Sequence, residues 1–513
     1  TGGVEASLRR LAHYDYWSDK VRRSIILDAK ADLLVFGMGE RAIVEIARRL
    51  DAGETVRDLR DMRGVAYRLG AKEIPPKDNV VAVPSFAEVV ADNEAFAEMT
   101  RLAHLETNPH NARALVQEHG PETVVANPPA IPLSQPEMDR VYGLPYTRKP
   151  HPSYGGQRIP AHEVVKDSVQ IMRGCFGGCT FCSITAHEGR IIQSRSQESV
   201  LGELERIAAD PDFKGVVSDI GGPTANMYEM KCTRPEVEAK CRRLSCVHPT
   251  ICKLLGSDHG PLKDLMRKSR EIEGIKKVHV ASGLRMDLAR RDPEYLRELA
   301  AHHVGGRLKV APEHSDPDVL NLMKKPDIDD FTEFGKEFQK ASKAAGKKQQ
   351  LVPYFIAGHP GSDVSAMIDL AVYLKRNGYQ PDQAQDFIPG PFDIATCMYH
   401  TGIDPMTRKK VHVAKGLRDR RTQRALMQFF KPENYFEVRK ALEESSRQDL
   451  IGDGCDCLIP SRPPKEALER RRERSAKEMR SGGDSGKRKE SRSKSSSGYR
   501  PHRKTAKRRT RKR

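Results

Sequence analysis

Three cysteines lie within eight residues of this 513-residue chain, in the string Cys175-Phe-Gly-Gly-Cys179-Thr-Phe-Cys182. With ten Cys in the chain, chance alone gives this spacing only about 0.004 times. Thiolates select iron-sulfur clusters or zinc, and the glycines let the loop wrap so that the three sulfurs converge. A structural zinc needs four ligands, whereas a four-iron cluster held by three Cys leaves one iron open to a small molecule. The count of three therefore favours a four-iron cluster.

The loop directly follows the first of six β-rich runs that alternate with amphipathic helical stretches. This alternation predicts an α/β domain built on a parallel sheet. Polar or Gly-rich clusters follow the strands at their carboxyl ends, where such folds gather their chemistry. The predicted strands are Ser168 to Met172, Gly215 to Ile220, Lys277 to Ser282, Arg307 to Ala311, Gln350 to Ile356 and Gln383 to Ile388.

The amino-terminal part has a different pattern. A strand-like run from Asp32 to Phe36 precedes Gly37-Met38-Gly39-Glu40 and a helical pattern, which predicts a β-turn-α unit. The glycines partly fit a dinucleotide fingerprint, but Glu40 would put a negative charge where a pyrophosphate should sit. The Pro-rich stretch from Gly70 to Pro160 predicts irregular linking structure with a helix around Phe86 to Leu105.

The Cys loop resembles the signature of the radical S-adenosylmethionine (SAM) superfamily, Cys-x3-Cys-x-aromatic-Cys, with Phe181 at the aromatic position. This resemblance implies a partial parallel (β/α)6 barrel and a 4Fe-4S cluster on Cys175, Cys179 and Cys182. It also implies reductive cleavage of SAM to a 5′-deoxyadenosyl radical, which abstracts hydrogen from a substrate in an enclosed cavity.

Longer strings narrow the resemblance to the YgiQ family. They are residues 2 to 10 (GGVEASLRR), residues 13 to 18 (HYDYWS), Arg173 to Cys179, Gly221 to Tyr228 and His302 to Gly306. Relative to that family, a portion ahead of Thr1 is expected to be missing. We predict an amino-terminal region at 1–157, which is the end of a Rossmann-like segment plus a Pro-rich connector. A radical SAM core at 158–430, a carboxy-terminal extension at 431–465 and a disordered basic tail at 466–513 follow.

The resemblance also suggests residues that bind SAM. Gly221 and Gly222 lie where the superfamily has a Gly-Gly-Glu motif, but Pro223 replaces the acidic residue, so only the backbone role carries over. The other candidates follow later strands: Ser282, Arg285 and Glu313, with His359 further on. For Glu313 the alternative is that the residues after it, Ser315 and Asp316, merely cap the next helix.

A second group of cysteines comprises Cys232, Cys241, Cys246 and Cys252. Their spacing matches neither paired zinc halves nor a ferredoxin run. Ordinary thiols are therefore the first interpretation, with an auxiliary iron-sulfur cluster or zinc as alternatives. Cys455 and Cys457 are interpreted as buried thiols, and so is Cys397, which could also return a hydrogen atom near a radical.

The net charge of +18 lies mainly at the carboxyl terminus, since residues 465–513 hold 21 basic and six acidic residues. This tail is interpreted as solvated, with nonspecific attraction to nucleic acid as the alternative. No apolar stretch approaches the roughly 18 residues that span a bilayer, so no membrane insertion is expected. Ten Cys and no signal-like segment at Thr1 favour the cytoplasm.

The sequence thus predicts a radical SAM enzyme whose substrate is unknown and whose electrons come from a one-electron donor such as flavodoxin or ferredoxin. One alternative is a radical RNA-modifying enzyme, suggested only by the basic tail. The other is a nucleic-acid-binding protein whose cluster is structural or redox-sensing. SAM should perturb the spectrum of an open cluster and leave that of a structural one unchanged.

Overall fold

The computed structural model describes residues 1–482, except for the side chains of residues 474–482. A five-stranded sheet organises the amino-terminal region, in the order Leu33–Val35, Val65–Leu69, Glu122–Ala126, Ala114–His119, Val80–Ala82. Every neighbouring pair is antiparallel except Val80–Ala82 with Ala114–His119. A separate hairpin pairs His13–Asp15 with Lys20–Arg22.

This sheet corrects two predictions. The predicted β-turn-α unit is present as Leu33–Val35 and the helix Glu40–Asp51, but the antiparallel pairing differs from a Rossmann-like segment. The stretch from Gly70 to Pro160 is not irregular, because it supplies three of the five strands. Its prolines lie between the strands, and Gly120-Pro121 forms the two-residue turn between Ala114–His119 and Glu122–Ala126.

Alternation along the strands gives this sheet two buried faces. Val65, Tyr67 and Leu69 pack with Ala42 of the helix Glu40–Asp51, while Ala66 faces the opposite core. That second core contains Phe96 of the helix Asn93–Leu105 and Met398 of the helix Ile394–Thr401. The amino-terminal region therefore shares a hydrophobic core with the part of the chain that follows the last predicted strand. The helices of this region are Val4–Leu8, Ile25–Asp28, Glu40–Asp51, Phe86–Ala91, Asn93–Leu105 and Gln135–Tyr142.

All six predicted strands of the central region are present and pair in parallel. Ser168–Gln170 pairs with Asp219–Gly221, and Val216–Val217 pairs with Lys277–Val278. Arg307–Glu313, Gln350–Ala357 and Gln385–Asp386 form a second group in that order. The parallel pairing is as expected, while closure of these strands into a partial barrel remains a prediction. Short antiparallel pairs join Met172–Arg173 to Gln193–Ser194 and Lys231–Cys232 to Leu255–Gly256.

Helical periodicity explains how the connecting helices cover these strands. In Ile328–Ala344, Phe331, Phe334, Phe338 and Ala341 recur every three or four residues and are buried. Asp327 and Asp363 cap this helix and Val364–Arg376 by accepting backbone N–H groups. The helices of this region are Pro160–Val165, Ile184–His187, Gln197–Ala208, Pro235–Glu238, Gly260–Glu271, Met286–Ala289, Pro293–Glu298, Pro317–Met323, Ile328–Ala344, Val364–Arg376, Ile394–Thr401, Leu417–Met427 and Tyr435–Glu444.

A last helix, Lys465–Gly482, differs from the disorder predicted from residue 466 onward. Ala467 near its start is buried with Leu458, Ile459 and Tyr435. The rest of that prediction concerns residues 483–513, which lie outside the described residues. Across residues 1–482, no helix combines the length and apolar character needed to cross a membrane.

Candidate active site

The three-Cys loop follows the strand Met172–Arg173 and is held by the segment that carries the second Cys group. The hydroxyl of Ser245 donates to the carbonyl of Gly177 at 2.7 Å, and the Cys246 N–H donates to the carbonyl of Phe176 at 3.0 Å. Gly178 has a φ of +66°, and a Cβ there would overlap the carbonyl oxygen of Leu244. Glycine at this position therefore permits the close contact that fixes the loop.

Two sulfurs of the loop lie close to a position that glycine keeps free. A Cβ placed on Gly177 would lie 3.2 Å from Sγ of Cys175 and 3.9 Å from Sγ of Cys179. Burial raises the pKa of the Cys182 thiol, and the nearby charges of Cys179 and Cys175 raise it further. All three thiols therefore lie within electrostatic reach of one another.

Arg285 brings a positive charge to these sulfurs. Its guanidinium is buried and pairs with the carboxylate of Asp287 at 2.9 and 2.6 Å. Its Nη1 has no hydrogen-bond partner in the part of the chain that the structure describes, and lies 3.7 Å from a Cβ placed on Gly177. Burial favours a lower pKa for Arg285, but Asp287, Cys179 and Cys175 raise the pKa above its usual value. An anionic cluster on the three thiolates would supply the partner that Nη1 lacks, so these residues fit such a group.

No three His, Cys, Asp or Glu side chains within residues 1–482 are arranged to hold a single metal ion. This applies to both Cys groups. A structural zinc needs its ligands around one point, whereas a 4Fe-4S cluster distributes its thiolates over different irons. The arrangement therefore gives no support to a single-ion zinc site.

Two of the predicted SAM-binding positions meet at the ends of neighbouring strands. A Cβ on Gly221 would lie 2.7 Å from Oγ of Ser282, and a Cβ on Gly222 would lie 2.8 Å from the carbonyl of Met172. The Ser282 hydroxyl donates to the carboxylate of Asp219, which also accepts the N–H of Ala281 at 2.7 Å. Sequence reasoning missed Asp219, whose only signal is its position two residues before Gly221.

Glu313 ends the strand Arg307–Glu313 in a conformation that is unusual for a residue with a side chain. Its φ is +72°, next to a shift in strand register, and its carboxyl group is buried. Burial raises its pKa, partly offset by the Lys325 ammonium at 3.8 Å. The helix that follows is capped by Asp316, which accepts the N–H of Val319 at 2.9 Å. The alternative that Asp316 caps the next helix is therefore present, but this cap does not account for the strain and burial of Glu313, which are features that often occur at functional sites.

Phe181 and His359 contact each other edge to face, with ring centroids 5.8 Å apart. His359 is buried, and burial lowers its pKa to about 3. Its Nδ1 contacts the carbonyl of Pro360 at 2.7 Å, while its Nε2 has no partner within the described residues. His359 is therefore a neutral imidazole beside the aromatic residue of the Cys loop.

Two groups that sequence reasoning missed line a pocket of about 440 Å³ beside Cys179 and Cys182. Asp393 accepts hydrogen bonds from the Ser183 hydroxyl at 2.9 and 3.1 Å, and burial raises its pKa to about 8. Lys324 ends the helix Pro317–Met323 with a φ of +57°, and burial lowers its pKa to about 8. Both lie far from the loop in sequence, so no local spacing points to them.

A fourth missed residue, Asn226, positions Arg285. Its side-chain oxygen accepts the Arg285 N–H at 2.7 Å, and its amide donates to the Arg285 carbonyl at 3.0 Å. In the sequence, Asn226 itself belongs only to the string Gly221 to Tyr228 that carries the family resemblance. In the structure it holds the backbone of a residue about sixty positions later.

Glu40, which argued against a dinucleotide site, forms an ion pair with Arg173 just ahead of the Cys loop, at 2.5 Å. The Gly37 to Glu40 turn therefore contacts the central region directly. The Glu40 carboxylate of this turn forms its ion pair with Arg173.

The second Cys group is only partly assembled. The sulfurs of Cys241 and Cys246 lie 3.9 and 3.8 Å from Nη2 of Arg190, and the Cys252 N–H donates to the Cys246 carbonyl at 2.7 Å. Cys232 instead pairs with Leu255 across a two-stranded ladder. All ten cysteines are free thiols; Cys397 is buried as predicted, whereas Cys457 is half-buried and Cys455 is exposed, so the prediction for Cys455 is wrong.

Comparison with known proteins identifies the family of the chain. The model described as "Radical SAM superfamily" matches residues 169–374, "Radical SAM N-terminal" matches 1–168, and "Domain of unknown function (DUF3362)" matches 382–513. The chain is thus an enzyme of the radical SAM type.

The chain is 53% identical over 488 residues to a UPF0313 protein of Bradyrhizobium diazoefficiens, covering 90% of this chain and 72% of that protein. It is 46% identical over 531 residues to the UPF0313 protein YgiQ of Salmonella typhimurium, covering 92% and 73%. The chain belongs to the UPF0313 family, which confirms the resemblance to YgiQ.

Solved structures give weaker likenesses. The radical SAM methyltransferase TsrM from Kitasatospora setae, with tryptophan and a SAM analogue bound, is 15% identical with a TM-score of 0.39. That match covers 77% of this chain and 56% of TsrM. The radical SAM enzyme HemN from Escherichia coli is 14% identical with a TM-score of 0.28, covering 50% of this chain and 57% of HemN.

Proposed function

We propose that Cys175, Cys179 and Cys182 hold a 4Fe-4S cluster and that the enzyme uses it to cleave SAM reductively. When bound, this pair of cofactors supplies a 5′-deoxyadenosyl radical that abstracts hydrogen from a substrate. The observation that carries the proposal is the buried Arg285, whose unpartnered Nη1 lies beside the sulfurs of Cys175 and Cys179. An electron donor of the flavodoxin or ferredoxin type is the partner that this chemistry requires.

The surrounding residues bind and orient SAM. Gly221 and Gly222 offer their backbone groups to SAM. A Cβ at either position would collide with neighbouring atoms, so only glycine allows the backbone to lie here. Ser282, held by Asp219, and the carboxyl group of Glu313 provide the polar contacts from the next two strand ends. Phe181 packs against His359 and helps to exclude water from the Cys loop.

Metal analysis of Cys variants tests the proposal. The variant with Cys175, Cys179 and Cys182 replaced by Ala, reconstituted without oxygen, should lose about four irons per chain and all release of 5′-deoxyadenosine. Replacing the exposed Cys455 by Ala is the matched control and should change neither. If the triple variant keeps its iron after the second Cys group is also replaced by Ala, the assignment fails.

The same triple variant decides the state of the second Cys group. We propose ordinary thiols there, because Cys232 pairs with Leu255 away from the contacts that Cys241 and Cys246 make with Arg190. The expected result is neither iron nor zinc. Retention of about four irons would instead identify an auxiliary cluster, and retention of one zinc ion would identify a zinc site.

A further inference from the structure

A cavity lies between the amino-terminal region and the segment that follows the Cys loop. Its walls are largely apolar and include Phe36, Met38, Ile131, Leu133 and Ile191. It shares Thr185, Ala186 and Arg190 with the pocket beside Cys179 and Cys182. The residues proposed above to bind SAM are not among those that line it, so this space adjoins the cluster loop without being the SAM contact region.

Arg10 places an unpaired positive charge in this wall. Its side chain is buried, with the guanidinium carbon 3.9 Å from the ring centre of Phe392 and 4.7 Å from that of Phe36. Its Nη1 donates to the backbone carbonyl of Ser7 at 2.5 Å. No carboxylate within residues 1–473, whose side chains the structure describes, forms an ion pair with it, and burial lowers its pKa to about 9. A buried cation without an anion is unfavourable, so such a charge usually has a ligand or a function.

Arg190 adds a second positive charge to the same cavity. It donates to the backbone carbonyl of Arg243 and contacts the sulfurs of Cys241 and Cys246 at 3.9 and 3.8 Å. In the described part of the chain it too has no carboxylate partner.

The other charged groups of the cavity are already engaged. Arg41 is paired with Glu137, and the Glu188 carboxylate accepts the Gly174 N–H at 2.9 Å. His187 contacts the Ser7 hydroxyl through Nδ1 at 3.0 Å. Glu188 has no ion pair within the described side chains, so two unpaired arginines face one unpaired carboxylate and the net free charge of the cavity is positive.

We propose that this cavity binds the substrate, and that the substrate has an apolar body and a carboxylate or phosphate group that pairs with Arg10. That the bound molecule is a substrate depends on the proposed function, whereas the anion site itself depends only on the cavity and its arginines. An anion at Arg10 would supply the missing partner, while the apolar walls would hold the body of the molecule close to the cluster loop. Arg190, which belongs to both spaces, would face the end of the molecule nearest the loop.

Calorimetric titration of the full chain with decanoate, decyl phosphate and decanol, below their micellar concentrations, tests the anion site without SAM or reductant. The anions should bind at least about tenfold tighter than decanol. Arg10→Gln should weaken anion binding by about tenfold and leave decanol unchanged. Arg49→Gln is the matched control and should change neither, because Arg49 lies on the helix Glu40–Asp51 and is already paired with Glu54 and Asp61. The tighter of the two anions identifies carboxylate or phosphate as the recognised group.

Equal binding of decanoate and decanol, or an unchanged anion affinity in Arg10→Gln, would overturn the proposal. If Arg10→Gln fails to fold, Arg10→Lys should keep the preference for the anions over decanol. The preference of the wild-type protein for the anions over decanol then tests the anion site by itself. SAM added as a competitor should not displace decanoate. Displacement by SAM would make the cavity the site of the cofactor's own carboxylate and overturn the substrate assignment. Loss of SAM cleavage in the Cys variants is measured separately, so the two proposals fail independently.

Discussion

Arg285 illustrates how single residues prepare this site before any cofactor binds. Its backbone is clamped by Asn226, its guanidinium is paired with Asp287, and its remaining nitrogen is left beside two sulfurs. A positive charge in this position favours the more negative, reduced state of a bound cluster. The arginine is therefore a group that tunes the cluster rather than one that holds it.

Replacing Arg285 by Gln together with Asp287 by Asn removes the positive charge without leaving a buried carboxylate unpaired. We expect the midpoint potential of the cluster to become more negative by an amount on the order of tens of millivolts, because the loss of the Asp287 charge offsets part of the loss of the Arg285 charge. Redox titration followed by electron paramagnetic resonance measures this shift. Arg285→Lys should restore most of the potential, and Arg439→Gln, on the distant helix Tyr435–Glu444, should not alter it. An unchanged potential in the double variant would show that Arg285 does not act on the cluster.

The sequence identified the residues whose chemistry depends on local spacing, and missed those that act across long separations. Cys175, Cys179 and Cys182 stand out because three thiols recur within one loop. Asp219, Asn226 and Asp393 carry no such signal, since each acts on a residue brought close only by the fold. Whether Ser315 and Asp316 cap the helix after Glu313 was also open, and the structure shows that Asp316 does.

At the scale of elements, the helix Asn93–Leu105 and the helix Ile394–Thr401 join the amino-terminal region to the central one. They share the core that contains Phe96 and Met398. Beside it, His104 reaches from the first helix to the carbonyl of Phe392 at 2.8 Å, just before the second helix begins. Burial lowers the pKa of His104 to about 4, so the histidine is neutral near pH 7.

The burial of His104 should make the junction sensitive to acid, and the hydrogen bond to Phe392 offsets only part of this effect. The unfolded chain binds a proton at His104 near pH 6.5, whereas the folded chain does so only near pH 4, so stability falls as the pH drops through that window. At pH 5 the loss amounts to about 2 kcal/mol. Urea unfolding of wild type and His104→Gln at pH 7.5 and pH 5 measures it, and the variant should lack this part of the acid loss. The exposed His110→Gln should behave as wild type, and an equal acid loss in His104→Gln would contradict the prediction.

The six parallel strands were predictable because each is an apolar run bounded by turn residues and followed by a helix. The strands Val80–Ala82, Ala114–His119 and Glu122–Ala126 were not, because frequent prolines suggested linking structure. In the fold these prolines lie in the connections, where a missing N–H costs no ladder hydrogen bond. Pairing direction was the second failure, since strand patterns do not tell a parallel sheet from an antiparallel one when both faces are buried.

At the scale of the whole molecule, three hydrophobic core clusters contain buried residues from Ala6 to Ala467. The cavity with Arg10 exists only because the amino-terminal region and the Cys loop meet, and no sequence pattern could reveal a space between two such distant segments. The carboxyl end of the packed part was also predicted too early. Composition turns basic near Pro463, but a helix that buries one small residue can carry many charges on its other faces.

The end of the packed part can be tested by two truncations. Removing residues 483–513 should leave the melting temperature, the iron content and SAM cleavage unchanged. Removing residues 463–513 also deletes Ala467, buried with Leu458 and Ile459, and Arg471, which lies 4.4 Å from the ring centre of Phe436. We expect this longer deletion to cost about 1–2 kcal/mol of stability through lost burial and a lost cation–π contact, while iron still binds.

Both truncated chains should elute from heparin at lower salt than the full chain, because residues 483–513 carry 14 basic and two acidic residues. Equal melting temperatures for the two truncations would show that the helix Lys465–Gly482 adds nothing to the fold, and loss of iron in the shorter deletion would place part of the site beyond residue 482.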